Sequence, residues 1–214
     1  MRFRALAMFA RASSYVSVCC LVAALLLSGC SADADREDSA PTLATSSPQK
    51  PVVALWQGRL TIDAQDVALP GTVAAWEAAL GAPSRTEALA SSATEPAVNV
   101  YIWDDRGIVA VERPDLAQVT KVSLLWEAAK SSSASDGENA RLSPTSTFPG
   151  SLSIDGVYIG PETTPAKLNA ALDGPRFLQL KTFPHSWNMP YAAWTVTAIT
   201  DVKGQRLLEI SIGD

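Results

Sequence analysis

Gly58-Arg59-Leu60-Thr61-Ile62-Asp63 recurs 92 residues later as Gly150-Ser151-Leu152-Ser153-Ile154-Asp155. The offset holds without a gap: Val67 falls on Ile159, Thr72 on Thr164, Trp76 on Leu168, Leu80 on Leu172 and Pro83 on Pro175. Within each copy, Leu60 and Ile62, or Leu152 and Ile154, alternate with Thr61 or Ser153, the period-two pattern of a half-buried strand. A turn follows at residues 63–66 and at Asp155-Gly156, where Asp-Gly favours a tight reversal. Thr72 and Thr164 suit helix N-caps, and Pro165 stands where proline is tolerated, at the first helical position. Val73, Trp76 and Leu80 have helical spacing, as do Leu168 and Leu172. Gly81-Ala82-Pro83 and Asp173-Gly174-Pro175 end both short helices.

A second echo follows in the same order. Asp104-Asp105-Arg106-Gly107 corresponds to Asp201-Val202-Lys203-Gly204 at an offset of 97, so five residues are inserted between the two echoes. Residues 98–103 and 108–111 flank the first turn as a hairpin, and residues 119–126 add a strand. Residues 194–200 and 207–212 make the corresponding pair. The pattern predicts an α+β fold of two tandem repeats, each an antiparallel sheet with one short helix. The first repeat spans 52–130 and the second 150–214. The stretch 131–149, rich in Ser, Asp, Gly and Pro, is the linker.

The chain has 214 residues, and its first 29 contain no acidic side chain. Arg2, Arg4 and Arg11 lead into an apolar run over residues 12–27, which is short beside the ~20 residues that a spanning helix needs. Basic start, short apolar core and small residues before a cysteine predict a cleaved signal peptide over 1–29. Leu27-Ser28-Gly29-Cys30 resembles the lipobox of bacterial lipoproteins. The resemblance implies that Cys30 is diacylated and becomes the first residue of the mature protein. It further implies that Ser31, in place of aspartate, directs the protein to the outer membrane, facing the periplasm. Residues 30–51, rich in Ser, Ala, Thr, Pro and Asp, lack the apolar groups needed to offset ordering entropy and are expected to form a disordered tether.

Cysteine usage then closes several routes. Cys19 and Cys20 leave with the leader and Cys30 carries lipid, so neither a disulfide nor thiol chemistry remains. The full chain has 17 basic and 22 acidic side chains, net −5; removing Arg2, Arg4 and Arg11 leaves 14 against 22, net −8. Such a balance argues against nucleic acid, whose phosphates demand lysine and arginine, and is compatible with a basic protein partner. His185 is the single histidine, so a histidine-based metal set or a Ser-His-Asp triad would have to centre on it, and no G-x-S-x-G elbow is present. Asp104 and Asp105 are explained by turn chemistry. No metal, cofactor or catalytic residue is assigned.

The arrangement of strand, Gly71-Thr72 or Thr163-Thr164, short helix and β-hairpins resembles an uncharacterised domain family of bacterial envelope lipoproteins. It is also similar to small outer-membrane-assembly lipoproteins and to the secreted β-lactamase inhibitor protein. That resemblance implies a protein-binding role without catalysis and transfers no functional residue. The segment Phe183-Pro184-His185-Ser186-Trp187-Asn188-Met189-Pro190-Tyr191 concentrates aromatics, a methionine and two prolines and reads as a loop or sheet edge. Phe183, His185, Trp187, Met189 and Tyr191 are either an interface or core filling between the repeats. The expected function is a non-enzymatic, lipid-anchored envelope protein that binds another envelope protein or serves structurally. Two alternatives remain: an immunity or inhibitor lipoprotein that neutralises a periplasmic toxin or lytic enzyme, and an envelope hydrolase using unrecognised carboxylates.

Overall fold

Residues 52–56, Val-Val-Ala-Leu-Trp, alternate strictly between buried and open positions, and they nucleate the smaller of two sheets in the computed structural model. The structure describes residues 50–127 and 141–213. The leader, Cys30 and residues 31–49 of the tether lie outside the described residues.

The small sheet has five strands. At its centre is β1 (Val52–Trp56), which pairs antiparallel with β2 (Arg59–Ile62) and parallel with β8 (Ser151–Ile154). The edges are β3 (Gln65–Asp66) and β9 (Val157–Ile159), giving the order β3-β2-β1-β8-β9. The large sheet holds β4 (Arg85–Leu89), β5 (Val98–Trp103), β6 (Ile108–Arg113), β7 (Gln118–Leu125), β10 (Leu178–Gln179), β11 (Ser186–Tyr191), β12 (Trp194–Thr200) and β13 (Leu207–Gly213). Its order is β10-β11-β12-β13-β7-β6-β5-β4, antiparallel throughout.

Helices α1 (Val73–Leu80) and α2 (Pro165–Ala171) are short, eight and seven residues. Each starts as its sequence demands. The Thr72 hydroxyl accepts from the Ala75 amide, and that of Thr164 accepts from the Lys167 amide, with Pro165 just inside the second helix. Such a cap is worth about 1 kcal/mol against alanine. Trp76, Leu80, Leu168 and Leu172 are buried in one core with Val53, Leu55, Leu60, Ile62, Leu152 and Ile154 of the small sheet. The inner face of the large sheet completes that core with Trp103, Ile108, Leu124, Val196, Ile210 and Ile212.

Two expectations are corrected. The architecture is mostly β, two sheets with two short helices, and not α+β. Nor does each half own a sheet. The parallel β1–β8 pairing and the antiparallel β7–β13 pairing make both halves build both sheets around one core. Elements matched by the sequence offset take mirrored places, β2 and β8 about β1, and β6 and β13 about β7. Their directions do not follow suit: β6 and β13 run parallel, whereas β2 and β8 run antiparallel.

Candidate functional site

Strand alternation sends Val53 and Leu55 inward and therefore Val52, Ala54 and Trp56 outward. The outer face of the small sheet carries the row Asp66, Thr61, Ala54, Ser153, Tyr158, each residue beside the next across paired strands. Small side chains occupy its middle, so the surface there has low relief. At its margins stand large apolar groups in solvent: Val52 is 46% exposed, Trp56 52% and Tyr158 77%.

Below Trp56 this face turns over a rim made by three reversals: Gln57-Gly58 after β1, Asp155-Gly156 after β8, and the turn at Ala192 after β11. All five named residues have positive φ, between 46° and 82°. Gly58 is required as glycine on two counts, since its φ is 75° and an added Cβ would stand 3.0 Å from the Ala192 Cβ. Asp155 ties the reversals together. Its backbone N–H donates to Leu55 O at 2.8 Å. Its Oδ1 accepts from the Tyr191 hydroxyl at 2.6 Å and from the Gln57 N–H at 3.2 Å. Burial, followed by the bond to Asp155, pushes the Tyr191 phenol up to about 12.

A cleft of about 390 Å³ opens between these reversals, lined by Trp56, Gln57, Gly58, Asp155, Asp173, Pro175, Tyr191 and Ala192. Asp155 and Asp173 are exposed carboxylates, and none of the lining residues is basic. On the far side of Gly58 lies a second cleft, about 430 Å³, walled by Arg59, Leu60, residues 66–70 and Trp194. Arg59, the cross-strand neighbour of Trp56, pairs with Asp66. Trp194 Nε1 donates to Leu69 O at 2.6 Å and closes the floor.

The five candidates from the 183–191 segment separate. Residues 186–191 form strand β11 rather than a loop. Pro190 is tolerated because β10 pairs only as far as Asn188, leaving no ladder partner on that side. Period two then puts Trp187, Met189 and Tyr191 on one face: Met189 and Tyr191 are core, and half-buried Trp187 packs against it. Trp187 Nε1 is buried without a hydrogen-bond partner among the described residues. Phe183 is 62% exposed and His185 is exposed, both before the strand. Of the five, Tyr191 alone lines the cleft.

Asp104 does more than make a turn. Its carboxylate accepts from Arg85 Nε at 2.9 Å and from the Thr145 N–H at 2.8 Å, while Arg85 also donates to Ser143 O at 2.7 Å. The Arg85 hydrogen bond is the main reason that this carboxyl lies below its usual range. The result is a clamp that holds residues 141–145 against the large sheet.

Sequence reasoning missed Trp56, Tyr158, Asp173 and the receiving role of Asp155. For Trp56 and Tyr158 the signal was available, because alternation puts both on the face opposite the core residues. For the carboxylates no local signal exists, since three distant turns assemble the cleft. Among the described residues no group of three or more His, Cys, Asp or Glu is placed to hold a metal ion. Among the same residues no helix is long and apolar enough to cross a membrane.

Residues 52–169 match a family model described as Domain of unknown function (DUF7738), a span holding the whole small sheet, α1, β4 to β7 and most of α2. No curated protein matches the chain. Among solved structures, an extracellular protein containing an SCP domain from Bacillus anthracis str. Ames is similar at a TM-score of 0.39 and 13% identity. The similarity covers 68% of this chain but 44% of that one, and at this level it supports no conclusion about fold or function.

Proposed function

The chain belongs to the DUF7738 family of domains of unknown function, and from that premise we propose that it is a non-enzymatic, lipid-anchored protein of the bacterial envelope that binds another protein through the outer face of its small sheet. The observation that carries this reading is the exposure of Val52, Trp56 and Tyr158 around a low-relief centre. Exposed aromatics at the edge of a low-relief surface are the favoured anchors of protein interfaces. The anchor is the lipid on Cys30, and the location is the periplasmic side of the outer membrane; both rest on the Leu27-Ser28-Gly29-Cys30 motif and the basic, acid-free leader. More than one acyl chain makes such attachment stable.

Two experiments test the two parts. Cys30→Ser should abolish palmitate labelling and release the protein from membranes, whereas unchanged labelling overturns the anchor. A photo-crosslinking residue placed at Trp56 or Tyr158 in living cells should give one discrete protein adduct that is absent when the same residue replaces Val202, which is 80% exposed in the turn between β12 and β13 of the large sheet. Equal adducts from all three positions, or none from the sheet, would sink the interface.

A further inference from the structure

We infer that the 390 Å³ cleft beside Trp56 receives a basic side chain, arginine or lysine, from the protein partner; the inference deepens the proposed binding role and rests on it. The cleft is an open depression, suited to receive one side chain of a partner rather than to enclose a small molecule. Its chemistry selects for positive charge. Asp155 and Asp173 are the charged groups lining it, and no cation among its walls neutralises them. The nearest basic groups are committed elsewhere: Arg59 pairs with Asp66, and Arg176 donates to Asn169 O. Both bonds received by Asp155 converge on Oδ1, which leaves Oδ2 without a protein donor among the described residues. Asp173 likewise has no hydrogen-bond or ion-pair partner among them. Trp56 supplies the indole, the ring type that attracts cations best, and half of its surface is open. Pro175 and Ala192 offer apolar wall to a methylene stem, as long basic side chains prefer.

A neutral sugar would also stack on an indole and donate hydroxyls to these carboxylates, but it would leave their charge uncompensated, so the occupant is cationic. The net charge of −5 over the whole chain favours approach of such a partner over distance. Tyr191 contributes indirectly: its hydroxyl donates to Asp155 and holds it at the rim.

The test uses the full chain in detergent, labelled with 5-fluorotryptophan, with the Trp56 fluorine resonance assigned from Trp56→Phe. The probes are acetyl-Gly-Arg-Gly-amide, its citrulline counterpart, which is the same shape without the charge, and chitobiose. The arginine peptide should shift the Trp56 resonance saturably, and the other two should not. Asp173→Asn should weaken the effect about three- to tenfold, and Trp56→Ala by a similar factor read from backbone amides of the rim. Asp155→Asn serves as a second carboxylate variant. An equal shift with citrulline or chitobiose overturns the inference, as does an arginine response confined to other tryptophans or absent altogether. An adduct from photo-crosslinking at Trp56 with no arginine response would leave the sheet-face interface standing and remove this cleft from it.

Discussion

On the outer face of the large sheet, Val100, Ile102 and Val109 are buried; on the outer face of the small sheet, Val52, Trp56 and Tyr158 stand in solvent. Both faces are the back of a strand layer whose front fills the same core. They differ in what lies over them. Residues 141–149 cross the back of the large sheet, where Leu142 packs with Leu89, Val98 and Leu125 on the Val100–Ile102–Val109 cluster. The Arg85–Asp104 clamp and the Arg141–Glu87 ion pair hold that crossing in place. Phe148 then turns inward, edge-on to Trp126 at 5.8 Å, and enters the main core. No described segment covers the small sheet in this way. Apolar groups on a second face are thus explained by packing in one sheet and left for a partner in the other.

The cover of the large sheet should be costly to remove. Phe148→Ala deletes a buried aromatic and should lower stability by about 3–5 kcal/mol, measured by urea denaturation. Gly107 permits the passage: its φ is 61°, and a Cβ there would fall 2.1 Å from the Phe148 nitrogen. Next in size is the clamp. Asp104→Ala leaves the half-buried Arg85 guanidinium without its carboxylate and should cost about 1–3 kcal/mol. Its pH dependence follows from a carboxyl held below its usual range. The folded state binds fewer protons than the unfolded one in that window, so the contribution is complete above the ordinary carboxylate range and fades as pH falls through the depressed value. The gap between native protein and Asp104→Ala should accordingly close in acid.

A smaller effect is expected at the rim of the open face. Tyr191→Phe removes the bond to Asp155 and should cost about 1 kcal/mol by denaturant titration. Here the folded pKa is raised, to about 12, above the ordinary phenol value of 10.0. Its contribution is whole below the unfolded value and is lost as pH climbs through the folded one. Between these two values the native protein should lose stability faster than Tyr191→Phe; parallel curves would show that the hydroxyl is neither buried nor bound to Asp155 in solution.

The parts of this comparison that local pattern could reveal are the strands and helices with one apolar face. Leu60-Thr61-Ile62 and Leu152-Ser153-Ile154 read directly as β2 and β8, Thr72 and Thr164 as caps, and residues 194–200 as β12. Strand β4 was illegible because its outward residues Arg85 and Glu87 serve ion pairs rather than an apolar core, so no hydrophobic period marks it. In β11 the proline before the strand, Pro184, and the one within it, Pro190, masked a period-two set, Trp187, Met189 and Tyr191. Missing these strands gave the helices undue weight in the expected class. The parallel pairing of β1 with β8 joins residues far apart in the chain, and no turn signal announces such contacts. The cleft was hidden for the same reason: Asp155-Gly156 reads as a turn, but nothing near it in sequence indicates that Tyr191 and Gln57 will meet its carboxylate.

The smallest stability effect is the most informative about function. Tyr158 contributes its size to a face that no described segment covers, so replacing it by Ser removes surface that folding has left in water. The hydrophobic contribution to folding is proportional to area withdrawn from water, and for a side chain 77% exposed little is withdrawn. Tyr158→Ser should therefore change unfolding free energy by no more than about 0.5 kcal/mol, the range of ordinary surface substitutions. A large loss would mean that this ring is buried in the working protein by some part of its own chain, and the small sheet would then be the counterpart of the large one rather than its opposite. Near-neutral stability combined with loss of the photo-crosslinked adduct, re-measured from a probe at Val52, separates the two cases, because only an interface makes binding depend on groups that folding does not.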